Sequence, residues 1–342
     1  MKAHQLQSHG NPGNFTLVDL PEPRLAPDEV LVDVKACGLN RLDLWGEEGG
    51  LPVPIGLPRT LGSEIAGTIA KLGDDVDDWR LGARVAVQSN LFCGHCEFCL
   101  RGDESTCIHG KLLGIDRDGG FASHVAVPAR ALVPMPDGVD FKTSAALSLA
   151  GSTAMHMLTN RTEVQPGEWV LVMGGASGVG TYATQIARQL GARVIATGSS
   201  ESKRNFAQQQ GAEFVIDSTD PAWPSKVREI TQKRGVDLVV EHIGGETFEK
   251  AFQALARCGR IVTCGATSGR EVSLNLWPFF VKQQQIIGSY GRNRADVEHT
   301  LQWAADGKIK AVIDHVFPLE KLPEAFAALR SRKVMGKIVI SP

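Results

Sequence analysis

Residues 170–173, Val-Leu-Val-Met, run straight into Gly174-Gly175-Ala176-Ser177-Gly178-Val179-Gly180 and then into a helix-patterned stretch. That junction limits the fold more than any other feature of the chain. A strand that feeds a glycine turn and then a helix builds a crossover unit, because glycines let the turn close and the helix pack tightly. The same rhythm continues downstream. TYATQIARQLGA reads as a helix closed by Gly191, ARVIATGSS as a strand, SKRNFAQQQGA as a helix and EFVID as a strand. SKVREITQKRG (helix), VDLVVEHIGG (strand), TFEKAFQALARCG (helix), RIVTCGA (strand) and QIIGSYG (strand) complete the series. Strand and helix alternating at this spacing predict an α/β domain with a doubly wound parallel sheet.

The turn also predicts a ligand. Its backbone amides can approach a pyrophosphate, and the helix N-terminus adds partial positive charge. Read as a dinucleotide fingerprint, Gly175 and Gly180 are the first and third glycines, while Ser177 stands where the second is expected. About 20 residues on, an NAD site usually carries a carboxylate for the ribose hydroxyls. Here Thr197-Gly198-Ser199-Ser200 offer none, and Lys203 and Arg204 follow. Hydroxyls with cations suit a 2′-phosphate, so NADP(H) is the expected cofactor.

Before residue 150 the texture differs. EVLVDVKACG, EIAGTIAKLG, ARVAVQS and FASHVAVPA are short strand-like runs broken by Gly and Pro, which predict an irregular β domain. A length of 342 residues suits two domains, and 43% hydrophobic with 22% charged residues is globular composition. A net charge of −2 gives no footprint for nucleic acid or an anionic membrane. The N-terminus MKAHQLQSHG has no signal-like apolar run and no stretch is long enough to span a bilayer, so a cytoplasmic location is expected.

Four of the seven cysteines fall in CGHCEFCLRGDESTC, at C-x2-C-x2-C-x7-C. This spacing lets Cys93, Cys96, Cys99 and Cys107 converge on one tetrahedral ion. Four sulfurs leave no open position for water, so such a site braces structure. A bacterial iron–sulfur run has a shorter last gap and a proline after its final cysteine, unlike Cys107-Ile108. His95 and His109 flank the thiols and could replace one of them.

At this point the chain resembles the medium-chain dehydrogenase/reductase superfamily, which includes zinc alcohol dehydrogenases and quinone oxidoreductases. GDDVDDWRLGARV, GGFASHVAVPA, AALSLAGSTAMHML and the closing GKIVI support the likeness. The resemblance implies a GroES-like domain over residues 1–150 and 291–342, with a zinc lobe at about 90–110, and a Rossmann domain over 151–290. It implies one structural Zn2+ on the four cysteines. It also implies that the catalytic zinc is missing: the positions of its ligands carry Asn40, Ser63 and Leu149, which do not bind zinc as thiolate and imidazole do. Cys37 lies three positions early for the first of them. Leu42 and Trp45 stand where the family's proton relay would need a hydroxyl and a histidine.

Asn40 and Asp43 match the Asn-x-x-Asp pattern of the quinone oxidoreductase branch. The resemblance therefore implies an NADPH-dependent reductase of a quinone, an enone or a similar activated double bond, with a small electrophile as substrate. Asn40 is expected beside the nicotinamide, and Asp43 is expected to order its loop. Thr153 is expected at the nicotinamide, Ser177, Gly178, Val179 and Gly180 at the pyrophosphate, and Ser199 and Lys203 at the 2′-phosphate. Ile243 and Ala266 should line the cofactor, with Tyr290 and Lys337 near its adenosine phosphate or nicotinamide end. The family also suggests a homodimer joined along the last strand, around 285–290, or a homotetramer.

Other residues read as structural: Tyr182 as packing, His156 and His242 as satisfied histidines, Cys258 and Cys264 as simple thiols. Trp277, Phe279 and Phe280 suit a pocket, a core or a dimer surface. Two further functional classes compete with the reductase. One is an alcohol or aldehyde dehydrogenase with an atypical metal site, the other a low-turnover cofactor-binding protein.

Overall fold

The glycine-turn junction forms the centre of a six-stranded parallel sheet. Across it the strands lie in the order Phe214–Asp217, Arg193–Gly198, Trp169–Val172, Val236–Glu241, Leu255–Thr263 and Gln285–Gly288. The chain begins in the middle, winds to one edge, and returns to wind to the other. Its switch point lies between Trp169–Val172 and Val236–Glu241, and sheets of this kind take ligands beyond the carboxyl ends at that point. Helices cover both faces, which explains strands made of continuous aliphatic residues: Val170, Leu171, Val172, Val239 and Val240 are all fully buried.

One element differs from expectation. The helix expected over TFEKAFQALARCG stops at Gln253, and a strand is already running at Leu255. Cys258 takes φ +58 and the pairing slips between Val236 and Leu238. A strand irregularity, and not another helical turn, absorbs the extra residues.

The computed structural model describes all 342 residues, and these divide into Met1–Ser152 with Arg292–Pro342, and Thr153–Gly291. The sequence had suggested divisions after 150 and 290. The first unit holds a seven-stranded sheet in the order Ile313–Pro318, Lys337–Ser341, Glu29–Leu39, Glu64–Leu72, Arg84–Val87 and Leu132–Pro134, with His124–Pro128 also paired to Glu29–Leu39. The closing GKIVIS does return to the first unit: Ile338, Val339 and Ile340 pair with Leu39, Gly38 and Cys37. Val32, Ile65, Val85, Phe121 and Phe326 pack in its core. No helix of the chain is long and apolar enough to cross a membrane.

Gly180 shows how tightly the turn is closed. A Cβ there would stand 2.2 Å from the Gly174 carbonyl oxygen, a backbone atom that cannot step aside. Gly180→Ala should therefore destabilise the chain by about 1–3 kcal/mol in urea unfolding and abolish dinucleotide binding. A variant as stable as the parent that binds a dinucleotide as the parent does would show that the turn has slack.

Candidate functional site

Three groups of residues make up the candidate sites, and the first is the thiol lobe. The Cys96–Cys99, Cys96–Cys107 and Cys93–Cys99 sulfurs are 3.5, 3.8 and 3.9 Å apart, and all four lie within 4.8 Å of one another. A tetrahedron with about 2.3 Å metal–sulfur bonds has edges of about 3.8 Å, so the donor set fits zinc. Cys93 N and Cys96 N each donate at 3.3 Å to the sulfurs of Cys107 and Cys93. The Cys99 amide is foremost in lowering the Cys96 thiol to about 6. None of the seven cysteines is in a disulfide. His95 is outside the set, its Nδ1 lying 3.0 Å from the Cys93 carbonyl oxygen.

The second group lies along the carboxyl edge of the parallel sheet. Ser177 caps the helix Gly178–Gln189, its hydroxyl accepting the Gly180 amide at 3.0 Å. The cap explains the serine in the fingerprint. Gly178 and Val179 open the helix, where amides have no intrahelical acceptor. At the second strand's tip, Arg204 Nη1 lies 2.8 Å from Asp217 and 3.3 Å from the Gly198 carbonyl oxygen. A Cβ on Gly198 would come within 3.1 Å of Arg204 Cγ, so this arginine fills the space that a strand-tip carboxylate would need. Ser199 is exposed, and Lys203 is half-buried in the first turn of the helix Glu201–Gln209. Thr153 is 7% exposed in the helix Ala150–Met155, while Tyr290 is 61% exposed.

The third group belongs to the first unit. Lys337 Nζ donates to the Leu39 carbonyl oxygen at 2.8 Å and to Asn40 Oδ1 at 2.6 Å, and pairs with Glu64 at 2.7 Å. Asn40 Nδ2 donates to Glu64 at 2.9 Å and to the Gly38 carbonyl oxygen at 3.2 Å. The other Glu64 oxygen accepts the amides of Leu149 at 2.6 Å and Ala150 at 3.0 Å. Asp43 accepts the Asn40 amide at 2.8 Å and the Gly62 amide at 3.2 Å. Burial pushes its carboxyl up to about 7. Ser63 turns its hydroxyl away, to the Leu113 carbonyl oxygen at 2.7 Å.

These contacts bear on three expectations. Asp43 is completely buried with its carboxylate on two loop amides, the loop-ordering place expected of it. Asn40, expected to meet the nicotinamide, has both amide hydrogens and its oxygen engaged inside the unit. Lys337 is 3% exposed with all three donors satisfied, which leaves none for an adenosine phosphate. The central member of the group, Glu64, was not recognised as one. Its only signal was the Ser63-Glu64 pair, where the family places histidine beside glutamate.

Comparison with known proteins agrees with this anatomy. Residues 26–137 match the family model of the alcohol dehydrogenase GroES-like domain, and 178–306 match that of zinc-binding dehydrogenases. The chain is 32% identical to an alcohol dehydrogenase of Geobacillus stearothermophilus, over 99% of both chains. It is 30% identical to an acryloyl-coenzyme A reductase of Sulfurisphaera tokodaii, over 96% of both. A solved NAD-dependent alcohol dehydrogenase superposes with a TM-score of 0.95 at 38% identity, covering 100% of each chain.

The geometry of the thiol lobe yields a direct expectation. Elemental analysis should find one zinc per chain, and Cys99→Ser should lower the melting temperature more than it lowers turnover in the cold. Two zincs per chain, or metal retained after all four cysteines become serine, would overturn it.

Proposed function

We propose that this chain, which belongs to the zinc-containing alcohol dehydrogenase-like superfamily of medium-chain dehydrogenases and reductases, reduces a quinone or a carbon–carbon double bond conjugated to a carbonyl, using NADPH and no catalytic metal. That it is an oxidoreductase follows from the family. The acceptor and the cofactor preference are our reading.

The observation that carries it is the state of the vacated metal position. Ser63 is bonded to Leu113, Asn40 is enclosed by Glu64 and Lys337, and Leu149 offers only its backbone. No ligand set remains that could polarise an alcohol or ketone oxygen. Conjugated acceptors need less help, because the charge that develops on hydride addition is spread over the conjugated system. When bound, NADPH supplies the hydride. The protein's share is then to hold donor and acceptor in register and to exclude water. Binding falls to the amides of Gly178 and Val179 at the pyrophosphate, and to Ser199, Lys203 and Arg204 at the 2′-phosphate. The acryloyl-coenzyme A reductase among the relatives makes an α,β-unsaturated thioester a reasonable member of the acceptor class. The alcohol dehydrogenase names among the relatives favour the competing reading, and the same assays separate the two.

Purified protein should oxidise NADPH in preference to NADH with a quinone, enone or enoyl thioester, and should barely oxidise simple alcohols. A charge-assisted phosphate contact is worth roughly 1.5–3 kcal/mol, so Lys203→Ala should weaken NADPH tenfold or more and leave NADH nearly unchanged. Brisk alcohol oxidation with NAD, or equal weakening of both cofactors, would sink this reading.

We also propose a cytoplasmic homodimer joined through the edge strand Gln285–Gly288. Ile286 on that strand is 43% exposed, and the preceding helix leaves Trp277 at 70% and Phe280 at 56%. Unpaired edges with exposed apolar neighbours favour strand-to-strand association. Sedimentation at micromolar concentration should show a dimer that Ile286→Lys dissociates, and a monomeric parent would refute the assembly.

A further inference from the structure

The tip of the strand Val236–Glu241 carries two buried groups that the glycine turn does not account for. Glu241 is completely buried. One of its oxygens accepts the amides of Ile243 at 2.7 Å and Gly244 at 2.9 Å. The other accepts the Thr263 hydroxyl at 3.2 Å, from the end of the neighbouring strand. Desolvating a carboxylate is costly, and here backbone and hydroxyl donors from two strand ends offset that cost. Beside it, His242 Nε2 lies 2.9 Å from the Met173 carbonyl oxygen and 3.3 Å from Ser177 Oγ. A carbonyl only accepts, so Nε2 carries the hydrogen and the tautomer is fixed. Burial lowers the ring's pKa, which keeps it neutral.

The consequence is geometric. With both amides engaged, Gly244 is held at φ +78, packed so closely that a Cβ would meet the Gly269 carbonyl oxygen at 2.2 Å and Ala266 Cα at 3.1 Å. Ile243 leans over the glycine turn, its Cδ1 3.8 Å from the place of a Cβ on Gly174. Glu241 thus reaches forward to Thr263 at the end of the next strand, and His242 reaches back to Met173 and Ser177.

We propose that Glu241 and His242 are positioning residues of the dinucleotide site. They fasten three neighbouring strand ends together so that Ile243, Ala266 and the glycine turn are presented as one preformed surface to the pyrophosphate and nicotinamide half of NADP(H). The inference rests on the dinucleotide reading above.

The test is NADPH titration by fluorescence, with thermal melts, for the parent, Glu241→Ala, Glu241→Gln, His242→Ala and Thr263→Val. Glutamine keeps an acceptor oxygen for the two amides, so it should bind within about threefold of the parent, whereas alanine should weaken NADPH by about tenfold. His242→Ala should weaken it as well. Affinity of Glu241→Ala for 5′-AMP, which lacks the nicotinamide half, should not move. A merely structural role would lower the melting temperature of Glu241→Ala while its folded protein bound NADPH normally, and that result overturns the proposal. So does a glutamine variant as weak as alanine. Should Glu241→Ala not fold, Thr263→Val removes only the bridge between strands, and unchanged NADPH affinity in that variant also overturns it. A parent that binds neither NADPH nor NADH removes the functional reading and this inference together, whereas a tight parent with an insensitive Glu241→Ala removes the inference alone.

Discussion

The first unit depends on a buried ion pair, Lys337 with Glu64, at 3% and 0% side-chain exposure. Such a pair is tolerable only when every remaining donor and acceptor is satisfied, since desolvating two charges costs several kcal/mol per ion. That condition is met. The ammonium has three oxygens within 2.8 Å, and the carboxylate has four donors. Removing one partner of a buried pair costs about 3–5 kcal/mol, because the other charge is left stranded. The pair also joins distant pieces of chain: the last strand, the end of Glu29–Leu39, the start of Glu64–Leu72, and the helix beginning at Ala150.

This network leaves no loose polar site around Asn40, Ser63 and Leu149. Three such residues side by side could have lined a hole with stranded polar atoms. Instead a lysine from the last strand brings its own charge, and the asparagine bridges it to the glutamate.

The parallel sheet was legible in the sequence because its signals are local. A strand, a glycine turn and a helix lie within about twenty residues, and each element carries its own period. The thiol lobe was legible for the same reason, four donors in fifteen positions. The polar network was not. Asn40 meets Glu64 24 positions away and Lys337 297 positions away, and no periodicity encodes such a meeting. Asn40 and Asp43 were found through their pattern, Asp43 with its loop-ordering role, whereas Asn40 was expected at the nicotinamide and its bonds to Glu64 and Lys337 went unforeseen. Glu241 was passed over for a similar reason: inside VDLVVEHIGG a carboxylate at a strand end gives no signal until its partner on the next strand is seen.

Three carboxylates, Asp43 and Glu64 in the first unit and Glu241 in the second, share one behaviour. Each is completely buried and each accepts at least two backbone amides. An acid that fixes backbone in this way is a poor proton shuttle, because moving its proton would unmake the turn or helix start it holds. Asp43, though raised to about 7, has no exposed oxygen through which to exchange with a substrate. These three acids therefore serve to fix backbone within their own units and are poorly placed for bond making. The proposed reduction is consistent with that frame, because a conjugated double bond or a quinone takes up hydride with less acid assistance than a simple ketone needs.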